Sequence, residues 1–571
     1  MIIPKYSIVV SKYATKGEQF AAFELQKYLY LSIGKCFPCF NDSVEKFSPE
    51  IIIGFGAREK ETLINREELG EEGFVIYPYV DKDVLIAGNT ARGTIYGVYS
   101  FLEKFCGLKR FTKEVEVVKE IKNFNLPTEV IIEKPAFEYR DAYFRLAFDE
   151  DFATKNKMNL SQANISVKRG GNVKFFTIGH TFANLLPPEK YFEEHPEYFA
   201  LVNGERTPDQ PCLTNPKVFN IVRENLINQI KENPTCKIFS VAQNDVDVCC
   251  QCENCKKVND REQSLSGTNI NFVNKIAESI RADYPEVLIH TFAYRFSRKA
   301  PKYLIPNDNV IVRLCNIECD WSQPFEELAN NGNNPANEFL QNVKEWGNIT
   351  KHLYVWDYAV NFHNYLLPFP NLYQMAKNIK LLAKSGVNGL MEQGNYTYCG
   401  GASLDELKVY LISKLLWNPN EDARLIIEDF CNNVYGKGGK YIVQYIDLIT
   451  EAVKGHKLTL YDNADATYFT DDLVEKCVDL FNKAIEFAEN ETIKDRIRKE
   501  FLAIEYLRIV RIENDEFRCK EVDRFAQKLQ KYGITEIMEK TALDDSLEFM
   551  KIKRFATERF HRYDYLRYNT I

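Results

Sequence analysis

The chain has 571 residues, 45% hydrophobic and 27% charged, with a formal net charge of −8. That length exceeds what one compact core can serve and predicts about three domains. The acidic balance, without any basic block, argues against nucleic acid or an anionic membrane as the main partner, and no run of about 18 apolar residues exists to span a bilayer.

The opening stretch MIIPKYSIVVSKYATKG lacks a basic n-region, a long apolar h-region and a small-residue cleavage site, which predicts a cytoplasmic protein. In that compartment the 15 cysteines are expected to be mostly reduced thiols rather than a disulfide framework. Residues 1–125 read as a small α/β domain. SIVVS and EIIIGFG are strand-like, with an amphipathic helix between them around Gln19–Tyr30. GFVIYPYV and DVLIAGN form a hairpin pair across Asp81-Lys82-Asp83, and a helix follows from Thr94 to Phe105, opened by Arg92 and Gly93. Gly54-Phe55-Gly56 lacks the third glycine and the acidic follow-up of a nucleotide loop and reads as a turn.

From about residue 136 the rhythm becomes strand, helix, strand. Strand ends are expected at Tyr139-Arg140-Asp141, at His180 closing FFTIGH, and at Gln243-Asn244-Asp245 closing KIFSVAQND. Further ends fall at Tyr294, Glu318, Asp357 and Glu392, with a weaker strand near Ala163–Val167. Eight alternating units in about 280 residues fit a (β/α)8 barrel of the TIM type over residues 130–403. From Leu404 to residue 571 the pattern is helical, with Leu404, Leu407, Leu411 and Leu415 recurring at helical spacing.

In such a barrel the C-terminal strand ends converge on one face, so His180, Asn244, Asp245, Tyr294, Glu318, Trp356, Asp357, Tyr358 and Glu392 are the candidate site residues. Clustered carboxylates with aromatic neighbours suit glycoside hydrolysis, which needs a protonated carboxyl for the leaving oxygen and a second group at the anomeric carbon. Directly after Asp245, Cys249-Cys250-Gln251-Cys252-Glu253-Asn254-Cys255 places four thiols in seven residues. The Cys252/Cys255 spacing matches a zinc knuckle, with Cys249 or Cys250 as a third ligand and Cys315 or Cys319 as a through-space fourth; reduced thiols bracing the loop are the favoured reading, with no metal or cofactor expected.

ARGTIYGVYSFLEKFCG resembles the end of the small α/β domain that precedes the barrel in α-glucuronidases and β-hexosaminidases. IGHTF, PCLTNPKVFNIVRENLINQI and FSVAQND resemble the hexosaminidase run of a Gly-His strand end, an Asn-Pro helix start and an acidic pair closing strand four. The ordered set SVAQND with CQCENC, FVNKIAESI, HTFAYRF, RLCNIECD, VWDY and MEQG resembles the family called domain of unknown function 4838, over roughly residues 130 to 420. Some members of that family are classed as glycoside hydrolase family 163, endo-β-N-acetylglucosaminidases acting on N-glycans.

The resemblance implies a retaining hydrolase assisted by the substrate's own 2-acetamido group, acting on β-linked N-acetylglucosamine-containing glycans. Asn244 would orient the acetamido group, Asp245 would serve as general acid and His180 would support the pocket. Asn-Asp replaces the usual Asp-Glu, which keeps Glu318 and Glu392 as alternative acids. An exo-glycosidase of the α-glucuronidase sort, using Glu392 with Asp357 or Glu318, and a non-catalytic carbohydrate-binding barrel are the rival readings.

Overall fold

The computed structural model describes residues 6–46, 48–58, 64–122, 124–332, 334–398 and 400–552. The last stretch of the expected helical region, 553–571, lies outside the described residues. Among them no helix is long and apolar enough to cross a membrane.

The N-terminal unit is a six-stranded sheet in the spatial order Cys39–Asn41, Ser7–Val10, Glu50–Ile53, Val84–Gly88, Phe74–Pro78, Ile131–Glu133. The first four strands run parallel and the last two pair antiparallel, the hairpin turning with Lys82 at φ +73°. Helix Lys16–Ile33 begins at a capping box of Thr15 and Glu18 and ends at Gly34 in the left-handed region. Helix Ala91–Cys106 is capped by Thr90. Gly54 turns at φ +81° against the Glu18 carboxyl, where a β-carbon would stand 2.3 Å from Oε1, so the Gly-Phe-Gly stretch is a turn.

The central sheet is curled and wholly parallel, in the order Ile238–Ser240, Leu288–Ala293, Val310–Cys315, His352–Tyr358, Gly389–Gln393, Tyr139–Tyr143. It departs from the expected closed eight-strand barrel at two places. FFTIGH contributes only a single bridge, Phe175 to Ile238, and the stretch around Ala163–Val167 is two 3-10 turns broken by Asn164 at φ 44°. Side chains span the gap instead. Asn159 accepts from the Arg140 amide at 2.9 Å and donates to the Glu138 carbonyl at 2.7 Å, while its own carbonyl accepts from Val173 at 3.0 Å. Ser161 Oγ accepts from the Phe175 amide at 3.0 Å. The backbone groups that a strand ladder would satisfy are thus met by amide and hydroxyl side chains.

Alternation along the strands sorts residues to two faces. Tyr139, Phe175, Ile238, Ile311, Tyr354 and Met391 fill the concave interior, while Val312, Leu314, Leu353, Val355 and Leu390 face the helices. The helices from Asp405 to Ile509 share one apolar core with the outer face of this sheet, and the last two, Asp515–Lys531 and Leu543–Lys551, pack in a separate cluster with Leu366, Leu502 and Ile509. Helix Asp405–Trp417 is buried on nearly every side and packs against Tyr139–Tyr143; its last residue, Trp417, enters the N-terminal core, stacked on Phe74 at 6.0 Å.

Candidate functional site: a cleft at the mouth of the curled sheet

The segment after Ile238–Ser240 is held residue by residue. Gln243 donates to the Tyr294 carbonyl at 3.0 Å and accepts from the Ser297 hydroxyl. Asn244 is held at four points: its amide and carbonyl bond the Gln210 side chain at 3.1 and 3.0 Å, its Nδ2 donates to the Asp209 carbonyl at 2.7 Å, and its Oδ1 accepts from the Ala183 amide at 3.0 Å. These bonds make Asn244 a clamp of the loop, and they use one of its two Nδ2 hydrogens and one of its two Oδ1 lone pairs. Asp245 turns outward, its side chain 55% exposed, accepting from the Tyr294 hydroxyl at 3.1 Å with Arg295 at 3.6 Å.

Asp245 lies on the wall of a cavity of about 200 Å³. Phe292, Tyr294, Trp356 and Tyr358 from the strands, with Phe362, Tyr396 and Tyr461, give it aromatic walls. Trp356 is fixed by donation from its Nε1 to Gln393 at 2.7 Å. His180 lies among these rings, and burial holds its imidazole below its ordinary value. Its Nδ1 is 2.5 Å from the Gln243 carbonyl, an acceptor, so Nδ1 carries the proton and Nε2 is an acceptor. Across the cleft stands Glu539, from the loop before the last described helix, accepting from the Tyr396 hydroxyl at 2.8 Å. Burial pushes the Glu539 carboxyl upward, and the charge of Asp245 adds to that push. A larger space of about 1120 Å³ adjoins, sharing Ile317 and Tyr461; there Glu318 pairs with Arg298.

Of the residues singled out from sequence, His180, Asp245, Tyr294, Trp356 and Tyr358 line the cavity and Glu318 lines the adjoining space. Asp357 and Glu392 do not. They alternate along their strands with inward-facing Trp356, Tyr358 and Gln393, and so point to the helix layer. Asp357 accepts there from Asn316, Trp321 Nε1 and the Tyr358 amide, all at 2.8–2.9 Å. Both Glu392 oxygens are buried without a hydrogen-bond partner, and burial, then Asp357, pushes this carboxyl well above the ordinary range. Glu539, Tyr396, Gln393 and Arg295 were not anticipated.

Beneath the cleft, Arg313 is fully buried among the rings of Tyr139, Phe175, Tyr354 and Trp356, at 4.9–5.8 Å from their centroids. Asp141, also fully buried, accepts from the Tyr139 hydroxyl at 2.7 Å, and burial pushes it up to about 7. The cation and the carboxyl give the sheet interior a polar floor. Among the cysteines, Cys315 lines the cavity and Cys319 donates to the Pro335 carbonyl at 3.7 Å; neither joins the cluster after Asp245, whose fourth member is Cys212.

The family model described as Domain of unknown function (DUF4838) matches residues 110–447, and that described as Glycosyl hydrolase family 67 N-terminus matches residues 4–101. Among solved structures the chain is similar to a family GH115 4-O-methyl-α-glucuronidase with specificity for decorated arabinogalactans. Identity is 12%, coverage 97% of this chain and 78% of that chain, and TM-score 0.57, a likeness of fold. Weaker matches are a Clostridium perfringens family 89 enzyme in complex with GlcNAc-α-1,4-galactose (14% identity, 94% and 69% coverage, TM-score 0.47) and the Streptomyces plicatus N-acetyl-β-hexosaminidase (11%, 78% and 92%, 0.42). No curated relative matches the chain.

Proposed function

We propose that this chain, which belongs to the DUF4838 family, is a glycoside hydrolase whose reacting carboxyls are Asp245 and Glu539. The observation that carries the reading is that both line one aromatic-walled cleft in contrasting surroundings. Asp245 is open to solvent, with Tyr294 donating to it and the Arg295 guanidinium beside it. Burial pushes the Glu539 carboxyl upward, the direction that suits a proton donor to a leaving oxygen. A pair of carboxyls set apart by environment is what glycosidic cleavage requires.

In its finer form the substrate is a β-linked N-acetylglucosamine unit. Asp245 accepts the acetamido N–H, the acetamido oxygen attacks the anomeric carbon, and Glu539 protonates the departing oxygen. Glu539 then takes a proton from the water that opens the cyclic intermediate. Trp356, Tyr358 and Tyr461 serve as sugar platforms, and the adjoining space is large enough for further residues of a glycan, which favours endo action on N-glycans. One observation favours a second substrate class in the same cleft: the cations Arg295 and Lys540 beside the carboxyls could pair with a uronic acid, as an exo-acting glucuronidase requires.

The test is turnover of N-glycans, aryl N-acetyl-β-glucosaminides and aryl α-glucuronides by wild type, Asp245→Asn and Glu539→Gln. Both variants should lose about 10²–10⁴-fold on the preferred substrate. Tight inhibition by a thiazoline mimic of the oxazoline selects the acetamido-assisted form. Sugar binding without turnover of any of them would leave a carbohydrate-binding barrel and reject the enzyme.

A further inference from the structure

Outside the cleft, four cysteines from two distant parts of the chain meet at one point. Cys212 follows the strand Glu205–Pro211; Cys250, Cys252 and Cys255 follow Asp245. All four sulfurs lie within 4.8 Å of one another, with Cys212 Sγ 3.7 Å from that of Cys252 and 3.9 Å from that of Cys255. A disulfide would hold two sulfurs at about 2.05 Å. A tetrahedral ion with metal–sulfur bonds of about 2.3 Å instead sets its four sulfurs about 3.8 Å apart.

We propose that Cys212, Cys250, Cys252 and Cys255 hold one structural zinc ion as a tetrathiolate. Three of the four are buried and the fourth half-buried. The Leu201 amide donates to Cys250 Sγ at 3.3 Å and the Thr214 hydroxyl lies 3.1 Å from Cys255 Sγ, the kind of donors that steady metal-bound thiolates. Cys252 caps the helix Glu253–Glu262 and Cys255 sits in its first turn, so the knuckle spacing is realised on a helix start. The donor set holds no carboxylate or imidazole and no vacant position, which selects a soft-tolerant tetrahedral ion and a structural task. Loading releases the four thiol protons and leaves a site of net charge −2.

The ion also bears on the cleft. Asp209 and Gln210, three and two residues before Cys212, clamp Asn244, and Gln251 pairs with Leu201 and Asn203 of the same hairpin. Zinc therefore staples both ends of the loop that presents Asp245. This assignment stands independently of what the cleft cleaves.

The experiment is elemental analysis of the full chain, purified without chelator from zinc-supplemented culture, for wild type, Cys212→Ser, Cys252→Ser and Cys249→Ser. About one zinc per chain is expected in wild type and in Cys249→Ser, whose thiol lies outside the cluster, with most of it lost in the other two. If those two variants fail to fold, titrating wild type with an organomercurial in the presence of a metallochromic dye should release the zinc as four thiols are blocked. Cobalt replacement should give the intense visible bands of a tetrahedral thiolate site. No metal in wild type, iron in its place, or full zinc retention in Cys212→Ser overturns the assignment.

Discussion

Asp357 and Glu392 stand opposite each other in register on neighbouring parallel strands, and both carboxyls face the helix layer instead of the cleft. A pair that looks catalytic in sequence thus lies buried outside the lining of the cleft. Glu392 is held protonated by burial, so Glu392→Gln should leave turnover intact. Since the folded chain keeps a proton that the unfolded chain releases above its ordinary carboxylate range, stability falls as pH rises there, and the glutamine variant should melt above wild type at neutral pH. Asp357→Ala strands the Asn316 and Trp321 donors and should cost about 1–3 kcal/mol in denaturant unfolding for each donor left bare. A large loss of kcat in Glu392→Gln with unchanged folding would return it to the reaction.

The buried Asp141 predicts a second pH dependence. Its carboxyl, raised from 3.8 to about 7, holds its proton in the folded chain across that window, while the unfolded chain does not. Stability should decline from pH 4 to 7 on this account and level off above, by up to about 4 kcal/mol. Asp141→Asn removes the slope. Urea unfolding at pH 5 and pH 8 should show the variant gaining on wild type as the pH is raised between the two.

Glu72 ties the N-terminal unit to the central sheet. It forms ion pairs with Arg140 at 2.5 Å and Arg92 at 2.8 Å and accepts from Asn159 at 2.9 Å, and Arg140 has no exposure at all. Glu72→Ala leaves that guanidinium buried without its anion and should cost about 3–5 kcal/mol. A smaller penalty, near that of an exposed ion pair, would mean that Arg140 relaxes to another partner.

Much of this was legible in the residues. Apolar runs bounded by turns placed the strands ending at Tyr294, Asp357 and Glu392, and the Asn-Asp doublet did follow a strand. The side to which each residue points was not legible, because a parallel strand buried on both faces has no polar alternation to mark the cleft. FFTIGH reads as a strand by composition, yet only Phe175 pairs, since Asn159 and Ser161 supply the neighbouring contacts with side chains. Glu539 sits in TEIMEK, nearly 300 residues beyond Asp245, in a loop between two helices and with no local motif. Cys212 is a lone cysteine in sequence and becomes a cluster member only through the fold.

The most direct test compares leaving groups. A 2,4-dinitrophenyl glycoside departs without a proton, whereas a glycan or an alkyl glycoside needs one. If Glu539 is the proton donor, Glu539→Gln should lose about 10²–10⁴-fold in kcat/KM on the poor leaving group and little in kcat/KM on the dinitrophenyl glycoside, while Asp245→Asn loses activity on both. Equal activity of wild type and Glu539→Gln on the poor leaving group would contradict the account.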